Sequence, residues 1–527
     1  MSLSLEIKNY RCFADENPLR IEIDRGFTAI VGPNNAGKST VLRFFFEFRS
    51  LFALLSQPMG DMKSTLKGSQ TAISFPPTVQ DRTEVFHHGN DRAIEISLRV
   101  DGADRVEREA PVIDRVHVTV PRQSHGVTYK YFLGGEQLAS SDFAITDGFL
   151  RQGDRTHADV QTLANASRLL EKTAYLGAFR NAINAGSSDD YFDMSVGQAF
   201  IRKWRDLKTG HEIKKNKLVH RITLDIQRLF SFTNLEINAA HNEMDLKLMA
   251  DGESYKLSEL GSGLGQFIMV LATAAMKSPS FVLVDEPELN LHPTLQVDFM
   301  TTLASYSGHG VIFATHNLGL ARATAERIYS VVRDAKGCAE ARHLESTSRL
   351  GELLGELSFS GYRELGFRKV LLVEGASDVR TVQQFLRKRR KDREILLLPL
   401  GGGQLVNKRS EVQLGEVTRI TTDVFALIDS EKSEAQAGLS TDRAGFVEVC
   451  RDLGIKVHVT ERRALENYLA EGAIRQVKGQ MYRALGPYER RDVVSPIWAK
   501  SENWIIASHM SWSDVKETDL GRFLESL

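Results

Sequence analysis

Leu5-Glu6-Ile7-Lys8-Asn9-Tyr10 alternates apolar and polar residues, the pattern of a strand with one face in a core. Phe27-Thr28-Ala29-Ile30-Val31 is instead a short apolar run, as expected of a strand buried on both faces. Further runs of that kind lie at 281–284, 310–315, 369–373 and 424–428, while Ile94–Val100 alternates again. Between about 159 and 230 the pattern turns helical, as in Leu218-Val219-His220-Arg221-Ile222-Thr223-Leu224-Asp225-Ile226. Strand patterning lapses over 346–368, where Gly351, Gly355, Gly361 and Gly366 recur, so a domain boundary or a set of short connecting helices is expected there. These elements predict an α/β protein of several units.

Composition narrows the class. A chain of 527 residues with 42% hydrophobic and 26% charged residues has ordinary cores. No apolar stretch approaches the ~20 residues of a membrane span, and no secretory leader pattern is visible. The three cysteines, Cys12, Cys338 and Cys450, stand far apart, which argues for a reducing compartment and against a zinc site. A cytoplasmic protein without membrane contact is the expectation. Net charge is −1, so affinity for DNA has to come from a local patch. The run Arg387, Lys388, Arg389, Arg390, Lys391 and Arg393 is the candidate, with a solvated helix end as the alternative reading.

Gly32-Pro33-Asn34-Asn35-Ala36-Gly37-Lys38-Ser39 follows the buried strand and opens a helix at Thr40, which is the P-loop pattern. Glycines let backbone N–H groups close around phosphate oxygens, and the helix N-terminus adds favourable dipole. Lys38 is expected to reach the β- and γ-phosphates of ATP, and Ser39 to ligate Mg²⁺. Downstream, Phe281–Val284 ends in Asp285-Glu286, suited to hold the metal and to polarise the attacking water. The strand Gly310–Thr315 then delivers His316, a candidate γ-phosphate contact. Leu260-Gly261-Ser262-Gly263-Leu264-Gly265-Gln266 precedes an apolar helix and reads as a signature loop or a glycine-rich helix start.

In this combination the chain resembles ATP-binding-cassette ATPases of the RecF and SMC type. The resemblance implies head-to-tail dimerisation, with Ser262 and Gly263 of one copy capping ATP held by the other. The expected lobes are 1–155 with the P-loop and 236–350 with the signature loop, Asp285-Glu286 and His316. A helical insertion, and possible dimer contact, is expected between them at 156–235.

A second acidic set follows. Lys369–Val373 ends in Glu374-Gly375-Ala376-Ser377-Asp378, and Val424–Ile428 ends in Asp429-Ser430-Glu431. Carboxylates at the C-terminal ends of parallel strands gather in the crevice where open α/β sheets bind ligands. Such oxygen donors suit Mg²⁺ or Mn²⁺. The pattern is similar to the TOPRIM domain of topoisomerases, primases and some nucleases, with Glu431 in place of the usual third aspartate. The expected domain spans 365–527.

The order ATPase then TOPRIM resembles the OLD (overcoming lysogenisation defect) nucleases, including Gabija-type and retron-associated members. That resemblance implies an ATP-regulated, metal-dependent DNA endonuclease in antiviral defence. Glu374, Asp378, Asp429 and Glu431 would hold metal, Glu466 in Arg463-Ala464-Leu465-Glu466-Asn467-Tyr468-Leu469 a second ion, and Lys500 would neutralise charge on the scissile phosphate. It also admits a helicase, reverse transcriptase or non-coding nucleic acid as partner. The competing expectation is a nucleotide-dependent DNA-binding sensor whose acidic domain is inert.

Overall fold

The computed structural model describes all residues except 1, 59, 102–110, 139–143, 153–154, 178–189, 241–244, 257–261, 289–290, 292, 335–336, 345–368, 393, 401–413, 415–420 and 421–422. The expected boundary at 346–368 and the start of the signature loop, Leu260-Gly261, lie outside the described residues. The chain divides into two compact units, one of residues 1–316 and 329–343, the other of 317–328 and 344–527. Among the described residues no helix is long and apolar enough to cross a membrane.

In the first unit the alternating strands Ser2–Lys8, Leu19–Ile23, Ile94–Asp101 and Ile113–Val120 pair antiparallel. Their odd-numbered apolar residues Leu3, Leu5 and Ile7 are buried while the residues between them stay partly exposed, as a sheet with one covered face requires. The apolar runs form a second six-stranded sheet in the order Ala174–Leu176, Phe281–Asp285, Gly310–Thr315, Gly26–Val31, Arg327–Arg333, Ala339–Leu344. Its first four strands are parallel, which places the ends of the three motif-bearing strands at one edge. The P-loop helix Lys38–Glu47 packs against this sheet, and Glu47 at its far end accepts from Tyr10 Oη at 2.7 Å.

The segment 156–235 is built differently from a helical insertion. It does contain helices, at Gln161–Glu171, Gly197–Thr209 and Ile213–Leu229. Between them, however, Ala174–Leu176 joins the central sheet in parallel with Phe281–Asp285. The segment is therefore woven into the ATPase core. Phe230, at the end of its last helix, meets Phe267 edge-on at 5.1 Å, and Phe267 contacts Phe299 at 4.3 Å, which fastens that helix to Ser262–Lys277 and Pro293–Ala304.

The second unit is built on a four-stranded parallel sheet in the order Ile395–Pro399, Lys369–Val373, Val424–Ile428, Lys456–Val459. Successive strand side chains point to opposite faces, so Leu371, Val373, Phe425 and Leu427 join one core with Trp498, Ile506 and Leu520. Val370, Leu372, Ala426 and Ile428 join another with Phe446 and Cys450. Helices Ala376–Lys388 and Thr441–Asp452 follow the two acid-bearing strands. Arg380 is fully buried and its guanidinium donates to the Thr324 carbonyl and the Glu326 carboxylate, holding 317–328 to the first of these helices.

The basic run is taken up in this packing. Lys388 Nζ donates to Ser508 O at 3.1 Å and Lys391 Nζ to Glu525 O at 2.6 Å. Arg389 pairs with Glu525 at 2.9 Å and lies over the Trp512 ring. Arg387 lies 3.8 Å from Asp392. Arg389 and Lys391 thus anchor the last helix, Asp519–Ser526, and Lys388 the helix Asn503–His509, while Arg393 lies outside the described residues.

Candidate nucleotide site and acidic centre

Gly32 and Gly37 shape the P-loop for steric reasons. A Cβ on Gly32 would meet the Val331 carbonyl oxygen at 2.2 Å, and Gly37 caps the helix with φ 117°, a left-handed conformation that favours glycine. Asn34 and Asn35 are exposed at the tip, and Asn35 is also left-handed. Thr40 N–H donates to Gly37 O in the first turn. Lys38 Nζ folds over the loop, donating to Gly32 O at 2.8 Å and Pro33 O at 3.0 Å. A terminal phosphate would offer this ammonium stronger, charged acceptors.

Asp285 sits at the end of its strand, 6% exposed, with Ser39 bonded to its side chain. Burial pushes its carboxyl up, helped by neighbouring Glu286 and opposed by Ser39, Arg43 and Lys38. Its Oδ1 is buried with no hydrogen-bond partner among the described residues. A pre-formed oxygen beside a serine hydroxyl and a raised carboxyl fits a hard cation such as Mg²⁺. Glu286 follows with φ 50°, its N–H donating to Ala314 O at 2.8 Å, so its side chain leaves the strand direction. His316 Nδ1 lies 4.0 Å from Glu286 and 3.2 Å from Glu288. Glu288 was not legible as a site residue. Ser262 and Gly263 open the helix Ser262–Lys277, a position common to both readings of this loop, and their side chains lie outside the described residues.

In the second unit the acids converge. Glu374 Oε1 accepts the Asp429 main-chain N–H at 2.9 Å, joining the ends of adjacent parallel strands. Asp378 Oδ2 accepts Gly375 N–H at 3.0 Å as the first turn of its helix closes. Asp429 Oδ1 accepts Leu465 N–H at 3.0 Å, which docks the turn Leu465–Tyr468 onto the strand end. Asn467 fixes that turn, donating to Gly486 O at 2.6 Å and Glu489 O at 2.9 Å. Glu466 is thereby held 9% exposed, with Oε2 buried and without a hydrogen-bond partner among the described residues.

Lys500 reaches into this group, 3.5 Å from Asp378 Oδ1 and 3.8 Å from Asp429 Oδ2. Burial works against its charge, but Asp378, Asp429, Glu466 and Glu374 outweigh it and raise the ammonium well above the usual lysine range. Burial raises the Asp378 and Asp429 carboxyls, and the neighbouring acids raise them further against the pull of Lys500.

Arg443 is the second cation of the site and was missed from sequence. Its buried guanidinium donates to Glu374 Oε1 and to the Asp429 carbonyl, and lies 3.4 Å from Glu431 Oε1. Glu431 stands apart from the other acids. It has φ 53°, its N–H donates to Arg463 O at 2.8 Å, and its half-exposed side chain pairs with Arg443 and Arg463. Four buried carboxylates thus face Lys500 and Arg443, and with every acid ionised they exceed these cations by two charges. The donor chemistry and the open Glu466 oxygen fit a divalent ion. Among the described residues, though, no three His, Cys, Asp or Glu side chains are already drawn into one coordination shell.

Together these sites define a P-loop ATPase unit and, later in the chain, an acidic α/β unit. Residues 27–322, more than half of the chain, match the family described as "AAA domain, putative AbiEii toxin, Type IV TA system", and the chain belongs to that family. It is 25% identical to an OLD nuclease of Thermus scotoductus over 71% of each chain, consistent with the OLD arrangement of ATPase and acidic domain. Over 73 residues it is 40% identical to a "Putative peptide import ATP-binding protein" of Brucella abortus. That match takes in 13% of this chain and spans only about a fifth, 21%, of the transport protein. Among solved structures, an Smc head bound to the C-winged helix domain of ScpA aligns with 14% identity and TM-score 0.35, over 65% of this chain and 96% of that one. The SMC head domain from Thermotoga maritima aligns with 20% identity and TM-score 0.33, over 66% and 100%.

Proposed function

We propose that the chain is an ATP-regulated, divalent-metal-dependent DNA endonuclease of TOPRIM type that serves as an anti-phage defence effector. The observation that carries this reading is the gathering of buried Glu374, Asp378, Asp429 and Glu466 around Lys500, four carboxyl groups against the two cations Lys500 and Arg443. Structural ion networks rarely leave such an excess buried. The relation to an OLD nuclease supports the same reaction class.

Glu374, Asp378, Asp429 and Glu466 would hold Mg²⁺ or Mn²⁺, with Glu431 at the rim. Such ions, when bound, activate water and stabilise the leaving oxygen of a phosphodiester. Lys500 would neutralise charge developing on the scissile phosphate. Arg443 would keep Glu374 and the Asp429 backbone aligned through its two bonds. In the first unit Gly32–Thr40 would hold ATP, Asp285 and Ser39 its Mg²⁺, Glu286 the attacking water, and His316 the terminal phosphate. Ser262 and Gly263 of a second copy would cap the nucleotide, making the ATP state and the homodimer one equilibrium.

The position of Glu431 favours a second reading. Its side chain is engaged by Arg443 and Arg463, so the third acid of the motif is committed elsewhere, as an inert acidic unit on a nucleotide-dependent DNA sensor would allow. Supercoiled plasmid incubated with Mn²⁺, with and without ATP, separates the two. Metal-dependent nicking that changes with ATP supports the nuclease, and ATP-dependent DNA retention without cutting supports the sensor.

A further inference from the structure

We propose that Glu288 is a positioning residue of the nucleotide site that acts through His316, an inference that rests on the ATP-binding reading above. Glu288 lies just past the Asp285-Glu286 pair and is 8% exposed. Its Oε1 accepts the Thr315 hydroxyl and the His316 main-chain N–H, the latter at 3.2 Å. The same oxygen lies 3.2 Å from His316 Nδ1, whereas Glu286 is 4.0 Å away. One carboxylate oxygen therefore serves both the end of the strand and the ring that the strand presents.

Burying a carboxylate is costly unless it is well bonded. Glu288 Oε2 has no hydrogen-bond partner among the described residues, so the acid is not satisfied in full by packing. Its return is the orientation of His316, whose side chain is 54% exposed and could otherwise rotate. A carboxylate that accepts a hydrogen bond from one imidazole N–H fixes the ring and turns the other nitrogen to the opposite side. In the nucleotide complex the Nδ1 side of the ring would stay on Glu288 and the Nε2 side would face the terminal phosphate. Glu288 touches neither nucleotide nor water in this account.

A double-mutant cycle on nucleotide affinity tests this, with a fluorescent ATP analogue and Mg²⁺ titrated into the full chain. Glu288→Ala and His316→Gln are each expected to weaken ATP binding about 10-fold, and the double variant no further than His316→Gln alone. ADP, which lacks the terminal phosphate, should bind Glu288→Ala within about 2-fold of wild type. A merely structural role would weaken both nucleotides alike. Glu288→Gln keeps an acceptor oxygen of the same shape and is expected to recover most of the ATP affinity. If Glu288→Ala does not fold, Glu288→Met, which fills the same space without an acceptor oxygen, carries the same cycle. Multiplying effects in the double variant, or equal losses for ADP and ATP, would overturn the inference. Failure of the wild-type chain to bind ATP would overturn the nucleotide-site reading itself, and this inference with it.

Discussion

Glu374 Oε1 receives the main-chain N–H of Asp429 at 2.9 Å, so the two acids that end adjacent parallel strands are fastened to one another. Arg443 adds a second tie by donating to the same Glu374 oxygen and to the Asp429 carbonyl. The centre is thus pre-aligned by hydrogen bonds from the protein, and a divalent ion would complete it.

Arg443→Lys separates alignment from charge. A lysine keeps the charge but cannot hold both acceptors in the fixed fork of a guanidinium. Folding stability measured by urea denaturation is expected to fall by about 3 kcal/mol in Arg443→Gln, which leaves a buried acid without its cation, and by less in Arg443→Lys. Unchanged stability in the Gln variant would remove Arg443 from the account.

Lys500→Met tests the cation between Asp378 and Asp429. Plasmid cutting is expected to fall about 100-fold or more, the scale of losing one preorganised charge donor. Metal affinity, followed by Mn²⁺ calorimetry, should rise or hold, since a competing positive charge has gone. A variant that cuts normally would place Lys500 outside the chemistry.

Gly32→Ala addresses the P-loop through sterics alone. Its new Cβ would meet the Val331 carbonyl oxygen at 2.2 Å, so the loop must shift. ATP binding is expected to fall at least 10-fold with the second unit still folded, read by nucleotide titration beside circular dichroism.

The pH response has a defined source in Asp519. Burial opposes its charge, yet bonds from His458, the Glu461 N–H and Tyr468 hold its carboxyl down at about 2. Because the folded value is depressed, its stabilisation is full above the unfolded value of ~3.9 and is lost as pH falls toward about 2. Wild type should therefore exceed Asp519→Asn in stability at pH 5, and the gap should narrow steeply by pH 2.5 and close below about pH 2. A gap that stays constant over that interval would assign the contribution to packing.

Both sites were legible where chemistry follows directly on an apolar strand. Lys38 and Ser39 after Gly26–Val31, Asp285-Glu286 after Phe281–Val284, Glu374 after Lys369–Val373 and Asp429 after Val424–Ile428 all lie where the runs placed them. Residues brought in by tertiary contact were harder to read. Arg443 lies inside a helix whose pattern signals only a core face, and Glu288 follows a proline in a connecting loop. Ala174–Leu176 is too short for its strand period to stand out between helices, which is why 156–235 reads as an insertion. The left-handed backbone at Glu431, φ 53°, turns its side chain toward Arg443 and Arg463, and spacing alone carries no sign of that. The contacts of the basic run were hidden for a related reason, because the carbonyls and acid that engage Lys388, Arg389 and Lys391 come from the helix Asn503–His509 and the last helix.

The most direct test of the central claim is cutting of supercoiled plasmid by the wild-type chain and by Glu374→Ala, in Mn²⁺ and in chelator, at saturating ATP and without it. The account predicts Mn²⁺-dependent nicking or linearisation by wild type that ATP alters and that Glu374→Ala abolishes while still binding ATP. Cutting that survives Glu374→Ala, or that proceeds in chelator, would contradict it.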